Sequence, residues 1–428
     1  MKRCARWVLL VAVSGFLSPG MARSADYWVA RRGMDRERGG GRTNPWASLQ
    51  FAANHVKAGD TVHVLDGDYV GFDLRRGGDE QSPIRFIAEG KAVRITQRNS
   101  RTPDGINIEG AGHVVVDGFV VTKMPRAGVR GALSPHLTIR KIRTDHNGSW
   151  GIFTAFCDDL ALINNQASSS VKEHGIYVSN SGDRPIIRGN VAWDNRGCGI
   201  HMNGDLGSGG DGIISGALVE NNIIFGNGRG GGSGINADGV QDSRFQNNLL
   251  YGNHANGISL YRIDGARGST GNLVVNNTII MASDARWAVS IGNASSSCKV
   301  FNNILLNTNA ARGSINISKD SISGFQSDHN LVVDRFSVDD GSSTMDLSRW
   351  QALTSQDIHS RVSLPGDLFV DEASSDYHLR DRSPAIDAAD PSLAPRLDIE
   401  GKVRRRPNDE ESSQSLPDIG AYEYVGRG

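Results

Sequence analysis

The chain has 428 residues, a formal net charge of −1 and 38% hydrophobic residues. That length accommodates one large core or two domains. The balanced charge supplies no basic stripe, so nucleic acid is not expected as a partner.

Lys2, Arg3 and Arg6 precede an apolar run from Trp7 to Leu17, and Ala22-Arg23-Ser24 reads as a small-x-small cleavage site. Residues 1–24 are expected to be a secretory signal peptide, because the run is too short to span a bilayer. No later segment reaches the roughly 18 apolar residues of a membrane span. The expected product is a secreted or periplasmic protein, read as a monomer. Past the signal, Cys157, Cys198 and Cys298 remain, an odd number without Cys-x-x-Cys spacing. They are expected to be small buried side chains rather than a disulfide scaffold or a zinc site.

In the segment 25–59, "TNPWASLQFAANHV" offers Asn44 as a helix N-cap and Pro45 in the first turn. Trp46, Leu49, Ala53 and Val56 fall on one face of that helix, which is expected to cover the first coil of a repeat beginning near residue 60.

The repeat is marked by Gly-Ile, which stands at 151–152, 175–176, 199–200, 234–235 and 257–258. Ala288-Val289 continues the register, and the steps are 24, 24, 35, 23 and 31 residues. Between them run Asn164-Asn165, Asn190, Asn221-Asn222, Asn247-Asn248, Asn276-Asn277 and Asn302-Asn303; a third series is Asn147, Asn195 and Asn253. Short β-rich runs alternating with polar residues, joined by Gly and Asn turns at this period, predict the coils of a right-handed parallel β-helix. It is expected to be an all-β solenoid of about eleven coils over 60–336. The two stretched steps predict loops that leave the cylinder. The Asn series are expected to stack in successive turns and to take left-handed φ, rather than to bind a ligand.

If each Ile after Gly points inward, the next residue points out, then in, then out. Phe153 and Ala155, Tyr177 and Ser179, His201 and Asn203, Asn236 and Asp238, Ser259 and Tyr261, and Ser290 and Gly292 then form one outward ladder. Adjacent coils lie about 4.8 Å apart, so the middle coils gather Tyr, His, Asn and Asp on one face. Asp205, Arg262 and Asp264 flank that ladder at the following turn. The glycine-rich 204–234 stretch lacks the phosphate-loop pattern, so a nucleotide site is not expected. "VKEHGI" around Lys172, Glu173 and His174 reads as a charged, solvated turn. Residues 337–428, with "SPAIDAADPS" and "PDIGAYEY" bracketing a polar stretch, are expected to be an irregular C-terminal cap with a mobile loop near 401–416.

The opening "DYWVARRGMDRERGGGRTNPWASLQFAANHVKAGDTVHVLDGDY" and the Gly-Ile/Asn-Asn coils resemble secreted bacterial parallel β-helix proteins, family 9 polysaccharide lyases among them. "PDIGAYEY" is similar to a C-terminal module of exported β-helix proteins. The resemblance implies Ca2+ held by aspartates, neutralising a uronate carboxylate, and a lysine that abstracts the C5 proton. "NADG" at 236–239 is similar to a calcium-site stretch, which carries Asp238 over as a ligand. The lysine has no counterpart between 173 and 298; Lys172 and Lys299 flank that gap.

Given this resemblance, the expected function is a lyase cleaving an acidic, uronate-containing polysaccharide or exopolysaccharide by β-elimination. His201, Tyr177, Tyr261, Arg262 and Asp238 are the catalytic candidates: bases, acids or stabilisers of the enolate. Asn203, Asn236, Trp193 and Lys172 are candidates for binding substrate, and Asp205, Asp238 and Asp264 for metal. A glycoside hydrolase using a carboxylate pair, a C5-epimerase and a non-catalytic carbohydrate-binding protein are the alternatives. Because they face outward, His201 and Asp238 are expected to be replaceable at little cost in stability.

Overall fold

The structure is a computed structural model describing residues 24–406 and 415–426. Residues 1–23 of the expected signal and 407–414 of the expected mobile loop lie outside the described residues. The chain winds as a parallel β-helix with three sheets of 12, 12 and 11 strands, every neighbouring pair within them parallel. In each coil the chain passes from sheet 1 through a tight turn to sheet 2, then through a longer turn to sheet 3. Strands Ala161–Ile163, Gln166–Ser168 and Ile176–Ser179 are one such coil. Among the described residues the longest helix has eight residues, and none lies between 106 and 313 except the single 3₁₀ turn Leu206–Ser208. No helix among the described residues is long and apolar enough to cross a membrane.

The repeated residues explain the cylinder. Ile152, Ile176, Ile200, Ile235 and Ile258 are fully buried, one above the other. Glycine precedes them because there is no room for more. A Cβ on Gly199 would lie 2.4 Å from Ile224 Cγ2, and one on Gly257 2.4 Å from the Ala288 carbonyl. Both Asn properties are used, by different residues. The first of each pair (Asn164, Asn221, Asn247, Asn276, Asn302) takes left-handed φ between 52° and 58°. The second stacks: Asn165 donates to Asn190, Asn190 to Asn222, Asn222 to Asn248 and Asn248 to Asn277, at 2.9–3.0 Å. The third series includes Asn227, between Asn195 and Asn253. Cys157, Cys198 and Cys298 are buried and unpaired with one another.

Two ends differ from expectation. Strand Asp26–Val29 already pairs with Thr61–Val64, so the cylinder starts one coil before residue 60, with the helix inserted behind that strand. The helix is Leu49–His55, capped by Ser48, whose Oγ accepts the Phe51 N–H at 3.2 Å. Asn44 is not the cap; it bridges Gly41 in the preceding loop, and Trp46 bridges Val29. Hydrogen bonds from the Ala47 and Ser48 N–H groups to the Asp35 carboxylate fix this later start.

At the far end the helix Leu347–Thr354 covers the last coil, with Trp350 stacked on Phe336 at 4.9 Å. The chain beyond it is not an end cap. It runs back along the flank and buries the outer side of sheet 2: Leu249, Ile280, Ile304, Leu306 and Leu331 form a second core with Phe369, Tyr377, Leu379, Ile419, Ala421 and Tyr422. Asn276 and Asn302, the left-handed residues of the ladder, donate to the Asp418 and Asp390 carbonyls and fasten it there.

Candidate active-site face

The outward ladder exists in the expected register. Along sheet 3, Phe153, Tyr177, His201, Asn236, Ser259 and Ser290 are successive neighbours, and beside them Ser179, Asn203, Asp238 and Tyr261. Tyr177 stacks on His201 at 4.9 Å and 19°. Phe153 packs edge-on against Tyr177.

His174 joins this face from the turn before its strand, although the sequence suggested a solvated turn there. Its Nδ1 accepts the Cys198 backbone N–H at 3.0 Å, and its Nε2 lies 3.0 Å from His201 Nδ1. Glu173 Oε2 stands 3.4 Å from the same Nε2. His201 Nε2 is buried and has no partner among the described residues. Burial pushes the His174 pKa down to about 4 and that of His201 well below its usual value, helped by the neighbouring His174. Both rings are therefore neutral at physiological pH. Burial also raises the Tyr177 and Tyr261 hydroxyls above their ordinary range, and the Cys198 thiol to about 12.

Asn203 ties the ladder to the loops. Its Nδ2 donates to Tyr177 Oη and to Asp264 Oδ2, each at 3.2 Å, and its Oδ1 accepts the Asp205 N–H at 3.1 Å. One amide thus places a phenol and a carboxylate side by side. The two stretched steps do send out loops: 204–213 and 262–268 meet through Leu206 N–H to the Asp264 carbonyl and Ala266 N–H to the Gly212 carbonyl. They wall one edge of the face. Arg262 and Asp264 are exposed on this wall.

Asp238 does not point freely into solvent. It is 1% exposed. Its Oδ1 accepts the Ile263 and Gly265 N–H groups and its Oδ2 accepts that of Asp264, at 2.9–3.0 Å. The alternation was right, but the loop after Tyr261 folds back over the carboxylate. Its removal would therefore orphan three donors, contrary to the expectation of little cost. Asp205 is engaged as well, accepting Ser208 N–H, Ser208 Oγ–H and Asn180 Nδ2–H. As they stand, these side chains do not fit a calcium cage, which needs carboxylate oxygens turned to the ion. Asp264 alone of the three has an oxygen, Oδ1, without a hydrogen bond among the described residues.

A groove of about 250 Å³ continues the face, lined by Asn236, Asn256, Ser259, Tyr261, Arg286 and Asn293. The remaining substrate-binding candidates lie elsewhere. Lys172 is exposed in the turn between sheets 2 and 3. Trp193 is on sheet 2, where it stacks with Phe225 and, beyond it, Tyr251. Trp287 is buried.

Residues 88–208 match a family described as right handed beta helix region. No curated protein matches the sequence. Among solved structures, the pectate lyase Pel9A is similar at 17% identity and a TM-score of 0.60, over 94% of this chain and 97% of that one. XylC, solved in complex with xylose, is similar at 11% identity and 0.57, over 94% and 99%. An alginate lyase from Paenibacillus sp. str. FPU-7 is similar at 18% and 0.51, over 62% and 94%. At such identities the likeness shows the shared fold.

Proposed function

We propose that the chain is an exported carbohydrate-active enzyme, a polysaccharide lyase that cleaves a uronate-containing polysaccharide by β-elimination. One observation carries this reading: a buried, unpartnered imidazole nitrogen and a protonated tyrosine share a polar face with Asp264, a carboxylate that keeps one oxygen without a hydrogen bond among the described residues. A glycosidase needs two working carboxylates, and here Asp205 and Asp238 are engaged in holding loops. An elimination needs one base, one acid and a donor to the uronate carboxylate.

Each of these has a candidate. The Asp264 carboxylate takes the C5 proton. The electron pair left behind flows into the uronate carboxylate, where His201 Nε2–H stabilises the growing negative charge, while the exposed Arg262 attracts the acidic chain through water. Tyr177, kept protonated by its raised pKa, gives its proton to the departing O4 as the C4–O bond breaks. Asn203 holds acid and base in register through its two 3.2 Å contacts. The likeness to pectate and alginate lyases of the same fold supports the substrate class. No step is routed through calcium; a calcium ion at Asp238 would have to displace three backbone N–H groups.

The test is a panel of acidic polysaccharides followed by ultraviolet absorbance of the conjugated, unsaturated uronate. Absorbance that rises with wild type and fails with Asp264→Asn is the expected result. New reducing ends without absorbance would mean hydrolysis. Altered C5 stereochemistry without cleavage would mean epimerisation, and binding without any product a non-catalytic protein.

A further inference from the structure

The His174–His201 pair has a direction fixed by the backbone. A peptide N–H only donates, so the Cys198 N–H requires a lone pair on His174 Nδ1. A neutral His174 then carries its proton on Nε2, facing both His201 Nδ1 at 3.0 Å and Glu173 Oε2 at 3.4 Å. His201 Nδ1 must accept, which leaves the proton of His201 on Nε2, the buried atom without a partner. Protonating either ring would set two N–H groups against each other. Removing the Nε2 proton would leave an imidazolate, since His174 has no second proton to pass on.

We infer that His174 is a positioning residue that locks His201 as a hydrogen-bond donor to an anionic substrate oxygen, rather than as a base or an acid. The substrate oxygen is taken as the uronate carboxylate, a point that rests on the proposed lyase reading; the lock itself does not. Other titratable groups surround the pair. Tyr177 packs against both rings. Cys198 presents a protonated thiol beside them, and Tyr261 lies further along the face, under the influence of Cys198, Asp238, Asp264 and Tyr177. None of them supplies a proton acceptor to His201 Nε2, whose hydrogen-bonding capacity is left over for a substrate oxygen that reaches this buried atom. A bound metal is disfavoured by the same logic, because a ring whose Nδ1 accepts a peptide N–H has its proton, not its lone pair, on Nε2.

The lock is read directly in the wild-type protein by nitrogen-15 NMR of the imidazoles across about pH 5 to 8, where an ordinary histidine changes charge. The expected spectrum shows His201 protonated on Nε2 and not titrating. A proton on His201 Nδ1, or an ordinary titration near about pH 6.5, overturns the proposal. Two variants add a functional readout. In His174→Gln the amide oxygen can accept the Cys198 N–H and the amide NH₂ can donate to His201 Nδ1, so the lock and most of the turnover should persist. His174→Ala should free the ring: His201 begins to titrate, the pH–rate profile gains an imidazole limb, and kcat falls by up to about 10²-fold with a smaller change in KM, as for a lost oxyanion donor. A His174→Ala enzyme with an unchanged pH profile and kcat would overturn the positioning role. A locked spectrum in a protein that cleaves no acidic polysaccharide would refute the lyase reading and leave the lock standing.

Discussion

Sheets 2 and 3 share one interior and have opposite exteriors. On sheet 3 the outer ladder is polar, open and incompletely hydrogen-bonded, with His201 Nε2 unspent. Outside the later coils of sheet 2 the cylinder is apolar and covered by the chain's own C-terminal flank. The primary sequence carries the difference. "NLLY", "NTIIM" and "NILLN" are continuous apolar runs, whereas earlier strands of sheet 2, such as Gln166–Ser168, alternate. A strand buried on both sides loses its period of two. A face kept polar over its middle coils is therefore a face the protein leaves free for something else.

The largest effect that would sharpen this contrast is on the covered side. Arg404 is fully buried and donates to Glu423, to Asn247 and to the carbonyls of Asp418, Gly420 and Ala421. Arg404→Ala strands Glu423 without its cation and should destabilise by about 3–5 kcal/mol. Thermal denaturation and proteolysis of the flank measure it. Next comes the shared interior. Ile235→Ala, beneath the site, should cost about 2–5 kcal/mol, while His201→Ala one coil away should cut turnover by about 10²-fold or more at a smaller cost in stability. Equal losses of stability in the two variants would break the distinction between interior and face.

A smaller effect is a pH dependence confined to the flank. Burial, and then the charge of Glu423, raises Asp418 to about 7, against about 4 in an unfolded chain. The folded state thus holds the proton more tightly. Stability from this group is full below about pH 4 and is lost as the pH climbs towards 7. Asp418→Asn should flatten that slope; a variant whose Tm still falls over the same range as steeply as wild type would remove Asp418 as the cause.

What the sequence made legible came from local repetition. The Gly-Ile step, the inward isoleucines and the stacked Asn series each recur in one coil at a time, so spacing alone places them. Partners across a turn were not legible. His174 sits before its strand begins, where in–out alternation says nothing of direction, and it meets a residue 27 positions later. Asp238 was placed on the correct side, but the loop that covers it is invisible to periodicity. Trp193 obeyed the alternation too, yet alternation does not say which sheet a strand joins. Arg404 lay in a stretch that composition marked as polar and loose, and only a tertiary fold could bury it.

The weakest expected effect belongs to Arg262. It stands exposed on the loop beside Asp264, at the open edge of the sheet 3 face. No core packing depends on it, so Arg262→Ala should leave Tm unchanged. Its charge acts through water, where a single exposed pairing is worth on the order of 1 kcal/mol or less. Screening at about 0.15 M ionic strength cuts such attraction beyond about 8 Å. The loss should therefore appear as weaker binding of an anionic polysaccharide, largest in dilute buffer and fading as salt is added. Neutral polysaccharide should show no difference between variant and wild type. Binding that is weakened equally at low and high salt would mean that Arg262 touches the substrate directly, and the open face would then reach further over its edge than the ladder of sheet 3.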